Sequence, residues 1–305
     1  MGKQDQRLLQ TDLQNLYHWA VSNNMEFNDD KFAMITFGHQ NKRNFKSPEG
    51  KVITRKTSYK DLGIPMSANC EFTEHIHIAV KETQKIASWA LRTFRSRDKN
   101  VMRTLLKSIV IPKIEYGAII WSPTNLHLIV SLENIQRRFT SRISDFQTYD
   151  PQLDISFCTT NYWERLKHLK LYSLERRRER FIILYIYRFI IGLIKIEFFE
   201  VYEERGLKLR RKFKQSAPEF ARKLRKSSFF YRGPQLYNLL PSNLRQFEEI
   251  DSPSRNNVLS FKNRLDNYLK DIPDQPTTVG LQRAAESNSL IHQIPMRERL
   301  RRDEY

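Results

Sequence analysis

Tyr59-Lys60-Asp61-Leu62-Gly63-Ile64 is followed by Leu105-Leu106-Lys107-Ser108-Ile109-Val110-Ile111-Pro112-Lys113-Ile114-Glu115-Tyr116-Gly117 and then by Trp121-Ser122-Pro123. Between the first and last of these segments the spacing of apolar residues becomes helical, and that change decides the fold. From Thr73 onward, Ile76, Ala79, Val80, Thr83, Ile86, Ala87, Ala90 and Phe94 recur on one face of a helix. Val101, Met102, Leu105, Leu106 and Ile109 mark a second helix behind an Asp98 N-cap, which Pro112 bends or ends. Ile129, Leu132, Ile135, Gln136, Phe139 and Ile143 mark a third. Three helices with short connections, each apolar on one stripe, predict a bundle.

Upstream, Leu9, Leu13, Leu16, Tyr17 and Ala20 predict an amphipathic helix over residues 5–22. Phe32-Ala33-Met34-Ile35-Thr36-Phe37 and Lys51-Val52-Ile53 are short strand-like runs separated by a polar loop from His39 to Gly50, and a further strand-like piece leads through Tyr59 to Leu62-Gly63-Ile64. The expected fold class is therefore mainly α, with a small antiparallel β element at the N-terminal side.

Downstream, the polar residues from Ser144 to Thr160 predict a linker or ordered loop. A second helical block begins at Trp163, Leu166 and Leu169, continues from Ser173 through Arg176-Arg177-Arg178, and is closed by Gly192. Phe261, Leu265, Tyr268 and Leu269 predict a last short helix, and beyond Pro273 the loss of periodicity predicts disorder. The chain of 305 residues is 40% hydrophobic and 28% charged, enough apolar material for a sizeable core. Its net charge of +18 favours a polyanionic partner. Residues 163–232 hold 20 Lys and Arg against 8 Asp and Glu, a local +12.

Other classes find little support. Phe181 to Ile196 is apolar, but Arg188 and Lys195 interrupt it and it is shorter than the ~20 residues a membrane span needs, so no membrane partner is expected. Met1-Gly2 lacks the Ser or Thr that a myristoylation start wants, because position 6 is Gln6. Cys70 and Cys158 match neither a zinc spacing nor a disulfide framework. His75 and His77, two apart, would point to different sides of a helix, which is poor metal geometry.

The Lys-Asp-Leu-Gly-Ile turn, His75-Ile76 at the head of a helix, Leu91-Arg92-Thr93-Phe94 with Arg97-Asp98, and the run from Leu105 to Gly117 together resemble the reverse transcriptase of LINE-type, non-LTR retrotransposons, in the part that follows its catalytic hairpin. The resemblance spans roughly residues 5–270. It implies the end of a palm with the primer grip over residues 1–70, a helical thumb-like bundle over 71–145, a basic helical region over 160–272 and a tail over 273–305. It also implies that the catalytic carboxylates, which hold Mg²⁺ in the intact polymerase, lie upstream of this sequence, so that the chain alone is inactive and carries no cofactor. The expected partners are RNA, DNA or an RNA/DNA hybrid, in an intracellular ribonucleoprotein of nucleus and cytoplasm, with no small-molecule substrate. The alternative from another class is an independent basic nucleic-acid-binding or ribonucleoprotein module without enzymatic activity.

Particular residues follow. Asp29-Asp30 is a tempting metal pair, but in Asn28-Asp29-Asp30-Lys31 it is expected to cap a turn. Lys31 resembles the lysine that acts as a general acid in an intact polymerase, and no catalytic residue is assigned to this chain itself. Leu62 and Gly63 match the primer grip, where glycine lets the backbone approach a sugar-phosphate chain closely. Two clusters taken as basic helices with interspersed aromatics, Arg176, Arg177, Arg178 and Arg180 before Phe181, and Lys208, Arg210, Arg211 and Lys212 before Phe213, are the expected phosphate contacts.

Overall fold

Helices form where the apolar period is near 3.6, and short strand pairs where it is two. The computed structural model describes residues 3–37, 44–47, 49–197, 199–203, 206–211, 227–246, 253–276 and 287–303, and is mainly helical with small two-stranded sheets. The chain divides into two compact units, Met1–His75 and Ile76–Tyr305.

The first unit opens with α1 (Lys3–Ser22). Gln10 on this helix pairs with Lys46 as a peptide group would: its amide donates to the Lys46 carbonyl and its oxygen accepts the Lys46 N–H, both at 2.9 Å. Ala20 is buried, and Leu13 and Tyr17 are half-buried, but Leu9 and Leu16 of the predicted apolar face are exposed. Strand β1 (Ala33–Met34) pairs with β2 (Thr54–Arg55) in parallel, which corrects the all-antiparallel expectation for this region. The antiparallel pair is β3 (Ser58–Asp61) with β4 (Ile64–Ser67), in register Asp61 to Ile64. The Tyr59 hydroxyl donates to the Lys31 carbonyl at 2.9 Å and ties this hairpin to the turn before β1.

In the second unit, most of α2 (Thr73–Thr93) buries Ile76, Thr83, Ala87 and Ala90. Asp98 caps α3 (Lys99–Leu105) as predicted, accepting from the N–H groups of Asn100 and Val101 at 2.8 and 3.2 Å. Pro112 does not end the helix. The turn Leu106–Val110 widens to π geometry, accommodating a ring that has no N–H to give, and α4 (Ile111–Glu115) continues. A one-turn helix, α5 (Ala118–Trp121), and α6 (Leu126–Thr140) follow. Leu105, Trp121, Leu132 and Phe139 are buried as expected, whereas Phe94 is exposed and Ile109 half-buried.

The segment expected to be a linker or ordered loop is a hairpin, β5 (Gln147–Asp150) with β6 (Ile155–Cys158). Beyond it come α7 (Tyr162–Leu169) and α8 (Leu174–Ile190), which Gly192 closes at a φ of 79°. The run from Lys208, read as helical, begins instead in a strand: β7 (Phe199–Glu203) pairs antiparallel with β8 (Leu207–Arg211). Its alternation is the reason, since Leu209 is buried while Arg210 is exposed.

Helices α9 (Phe229–Asn238), α10 (Ser242–Arg245), α11 (Arg255–Lys270) and α12 (Leu290–Asp303) complete the described unit. One core cluster joins Ile182, Ile183 and Ile186 of α8 to Leu236, Phe261, Leu265, Leu290 and Ile294, and Tyr187 stacks on Phe261 with ring centroids 3.9 Å apart. The described residues of the tail are therefore ordered, because Leu290 and Ile294 fill this core. Residues 71–145 and 160–272, separated in the sequence reading, lie largely within one unit and are joined across α6, α8 and their loops by a buried polar network.

Candidate nucleic-acid interface

The β3–β4 turn is the first candidate. Leu62 and Gly63 are its two central residues, both with positive φ (45° and 87°), as a two-residue hairpin of the primed type requires. Glycine accepts that backbone at no steric cost, whereas leucine is strained in it. Leu62 is 82% exposed, so the strain is not offset by burial.

Lys31 ends the 3₁₀ turn Asp29–Lys31 and its side chain is exposed. Asn28 caps that turn, its Oδ1 accepting the Asp30 N–H at 3.1 Å, while the Asp30 carboxylate is paired with Lys51 at 2.8 Å. The Lys51 hydrogen bond and charge hold the Asp30 carboxyl below its usual range. Among the described residues, no group of three or more His, Cys, Asp or Glu is placed to hold a metal ion. His75 is buried and His77 exposed, on different sides of α2.

The Arg176–Arg180 cluster does not lie on the surface. Arg176 is completely buried and donates to the carbonyls of Pro273 at 2.8 Å and Ile272 at 3.5 Å. Arg177 grips Glu115 with two bonds, 2.7 and 2.8 Å, and Arg180 grips Asp266 at 2.5 and 2.7 Å. Arg178 is buried in the field of Glu175, Glu133 and Glu115, and burial pulls its pKa down. Arg177 and Arg180 tie helices together through carboxylates and Arg176 through backbone carbonyls, and of the four Arg177 keeps the most exposed side chain, at 23%. Carboxylates from distant elements meet two of these arginines, Arg177 and Arg180.

The carboxylates of the network have helix termini as partners. Glu133 accepts the Leu174 N–H at 2.9 Å at the start of α8, along with the Tyr162 hydroxyl. Glu179 accepts the Leu290 N–H at 2.7 Å at the start of α12, and pairs with Arg232 at 3.2 Å. A negative group at a helix N-terminus is favoured by the helix dipole. Burial nevertheless pushes the Glu133 pKa up to about 7, and burial with the nearby Glu179 charge pushes Glu175 up to about 8.

Of the second cluster, Lys208 is half-buried, and Arg210 is exposed but paired with Glu200 at 2.9 Å and set over the Tyr202 ring. Arg211 closes β8, and Lys212 lies outside the described residues.

A stripe on α2 was not singled out from the sequence. Lys81, Lys85, Trp89 and Arg92 follow one another at spacings of four, four and three, so they share one face of the helix, and all are exposed. Arg95 extends the stripe past the helix end, and Trp89 meets Phe94 edge-on with centroids 6.2 Å apart. Lys85 is paired with Glu82 at 2.8 Å. The signal was available in the polar positions of the same helix, which the apolar periodicity passes over. The chain matches no known family model, no curated protein and no solved structure.

Proposed function

We propose that this chain is the part of a non-LTR retrotransposon reverse transcriptase that follows the catalytic hairpin, and that it holds a template-primer duplex through phosphate contacts without itself performing the polymerisation. The observation that carries the binding half of this reading is the sorting of cations. Arg177 and Arg180 of α8 are paired with carboxylates and Arg176 and Arg178 are buried, while Lys81, Lys85, Arg92 and Arg95 stand exposed along the Trp89 side of α2. Cations spaced along a helix can neutralise successive phosphates, and an exposed indole offers a stacking platform for an unpaired base. The polymerase half rests on the ordered sequence likeness from Tyr59 to Pro123, and the strained, exposed Leu62-Gly63 turn supports it as a place for close backbone approach.

The test is binding of a fluorescent RNA/DNA hybrid across a salt series. Affinity is expected to fall by ~10³–10⁵ between about 50 and 200 mM salt if ~6–10 phosphates are contacted. Arg92→Ala with Arg95→Ala should lower the salt slope by about two, and Arg176→Ala should leave the slope of whatever protein remains folded unchanged. Binding that ignores salt, or that survives the α2 changes intact, would refute the assignment. Purified chain should extend no primer with Mg²⁺ or Mn²⁺, and template-dependent extension abolished by Asp29→Asn with Asp30→Asn would make that turn a catalytic site after all.

A further inference from the structure

The β5–β6 hairpin differs from the rest of the chain in charge. Residues 143–164 contain Asp145, Asp150, Asp154 and Glu164 and not one Lys or Arg, in a chain that holds 52 of them. Its large apolar side chains face outward: Tyr149, Leu153, Ile155 and Phe157 are all exposed, Leu153 at the turn by 65%. Because side chains alternate across a strand pair, Ile155 and Phe157 lie on one face and Tyr149 on the other, so the hairpin has apolar groups on both faces. Acidic residues here would repel a phosphate backbone, so the hairpin is no part of a nucleic-acid path. Exposed apolar groups in such a cluster mark a protein contact.

The hairpin stands next to its electrostatic complement. At its base, the Ser144 N–H and hydroxyl both donate to the Arg97 carbonyl at 3.0 Å, and Asp145 lies 3.7 Å from Lys99. The segment so anchored leads directly from the end of α2, where Arg92 and Arg95 flank Trp89 and Phe94. Within one unit, an acidic apolar projection therefore adjoins a basic aromatic stripe. Two such neighbouring patches make a self-complementary surface: a two-fold axis between them lays each copy's hairpin on the other's stripe, which is the isologous arrangement of a closed dimer. Among the described residues no cation is paired with Asp150 or Asp154. Asp150 accepts the Gln152 N–H and Asp154 accepts the Tyr149 hydroxyl, leaving both charges for an outside partner.

We propose that the chain forms a homodimer in which the acidic β5–β6 hairpin of each copy docks on the basic α2 stripe of the other. Five large exposed side chains per copy, Leu153, Ile155 and Phe157 of the hairpin and Trp89 and Phe94 of the stripe, each covering on the order of 100 Å², would bury roughly 1,000 Å² in all, about the least that a specific interface needs. The inference does not rest on the polymerase reading, and because it covers the same α2 stripe, the partner hairpin and a nucleic acid would compete for it, so an added RNA/DNA hybrid should dissociate the dimer.

The test is sedimentation equilibrium of the full, nuclease-treated chain at about 0.15 and 0.5 M salt, where screening weakens exposed charge pairs. A concentration-dependent dimer that weakens at the higher salt is expected. Leu153→Ser with Phe157→Ser should weaken it about tenfold or more, since central apolar groups dominate such contacts. These positions are exposed, and unchanged thermal melts would show that the fold is kept. A charge-swap pair gives the decisive arm. Asp150→Arg with Asp154→Arg should be monomeric, Arg92→Glu with Arg95→Glu should be monomeric, and mixing the two should restore both reciprocal contacts, one native and one with its charges exchanged, and so a dimer. A monomer at every concentration, a dimer indifferent to these changes, or a mixture that stays monomeric would overturn the proposal.

Discussion

Replacing Glu179 by Leu tests whether the arginines around α8 are structural. Glu179 is fully buried, and the Arg232 side chain facing it is only 7% exposed. Removing the carboxylate leaves the guanidinium inside without this partner, holding its bonds to Ser122 at 3.2 and 3.4 Å. Breaking one side of such a pair costs about 3–5 kcal/mol. The Leu290 N–H at the head of α12 also loses its 2.7 Å acceptor, and an unsatisfied buried donor costs ~1–3 kcal/mol. Against a total stability of ~5–15 kcal/mol the single change is severe. Glu179→Leu combined with Arg232→Met removes both charges and keeps the volume, so it should recover most of the loss and give a coupling energy of at least ~2 kcal/mol. Urea unfolding of the four proteins of this cycle, compared at equal denaturant slope, measures it. A single-variant cost under ~1 kcal/mol, or a double variant that is merely the sum of its singles, would refute the argument that these charges hold the interior together.

Other expected outcomes rest on separate features. Glu175, with a folded pKa of about 8, and Glu133, at about 7, bind protons more tightly folded than at their ordinary value of 4.5. Over that interval the unfolded chain holds fewer protons, so stability should fall as pH rises from about 5 to 8, and Glu175→Gln should flatten the fall and stabilise the protein at pH 8. Pulse-free thermal melts across that range check it, and a slope unchanged in the variant would count against it. Gly233 on α9 packs so closely on α8 that an added Cβ would lie 2.9 Å from the buried Ile186 Cδ1, so Gly233→Ala should cost ~1–3 kcal/mol in a melt despite alanine's better helix propensity, and a gain in stability would show that the two helices can separate. Leu105→Ala, on a buried position of α3, should cost ~2–5 kcal/mol by urea unfolding, and a value under ~0.5 would mean that the helix face is misassigned.

Local chemistry made several elements legible in advance. An aspartate three residues before Val101 caps a helix whatever lies around it, Gly63 supplies a turn backbone that few other residues adopt at low cost, and the apolar period of residues 76–90 gives the buried face of α2 directly. The errors came where two periods compete in a short run. Leu207-Lys208-Leu209-Arg210 satisfies a strand as readily as a basic helix, and only pairing with β7 selects the strand. The candidate site was half legible: the charge of the chain was plain, its position was not.

The sequence by itself determined the buried stripe of α2, the Asp98 cap and the +18 surplus, because these depend on residues within a turn or two of one another and on composition. Only the tertiary structure decided which cations face water. Arg177 meets a carboxylate 62 residues away, Arg180 one 86 away, and Arg232 one 53 away, while Arg92 and Arg95 remain exposed. An arginine read alone is a surface charge, and burying it is favourable only when a distant carboxylate arrives to compensate the lost hydration, which is a property of the packing and not of the neighbouring residues.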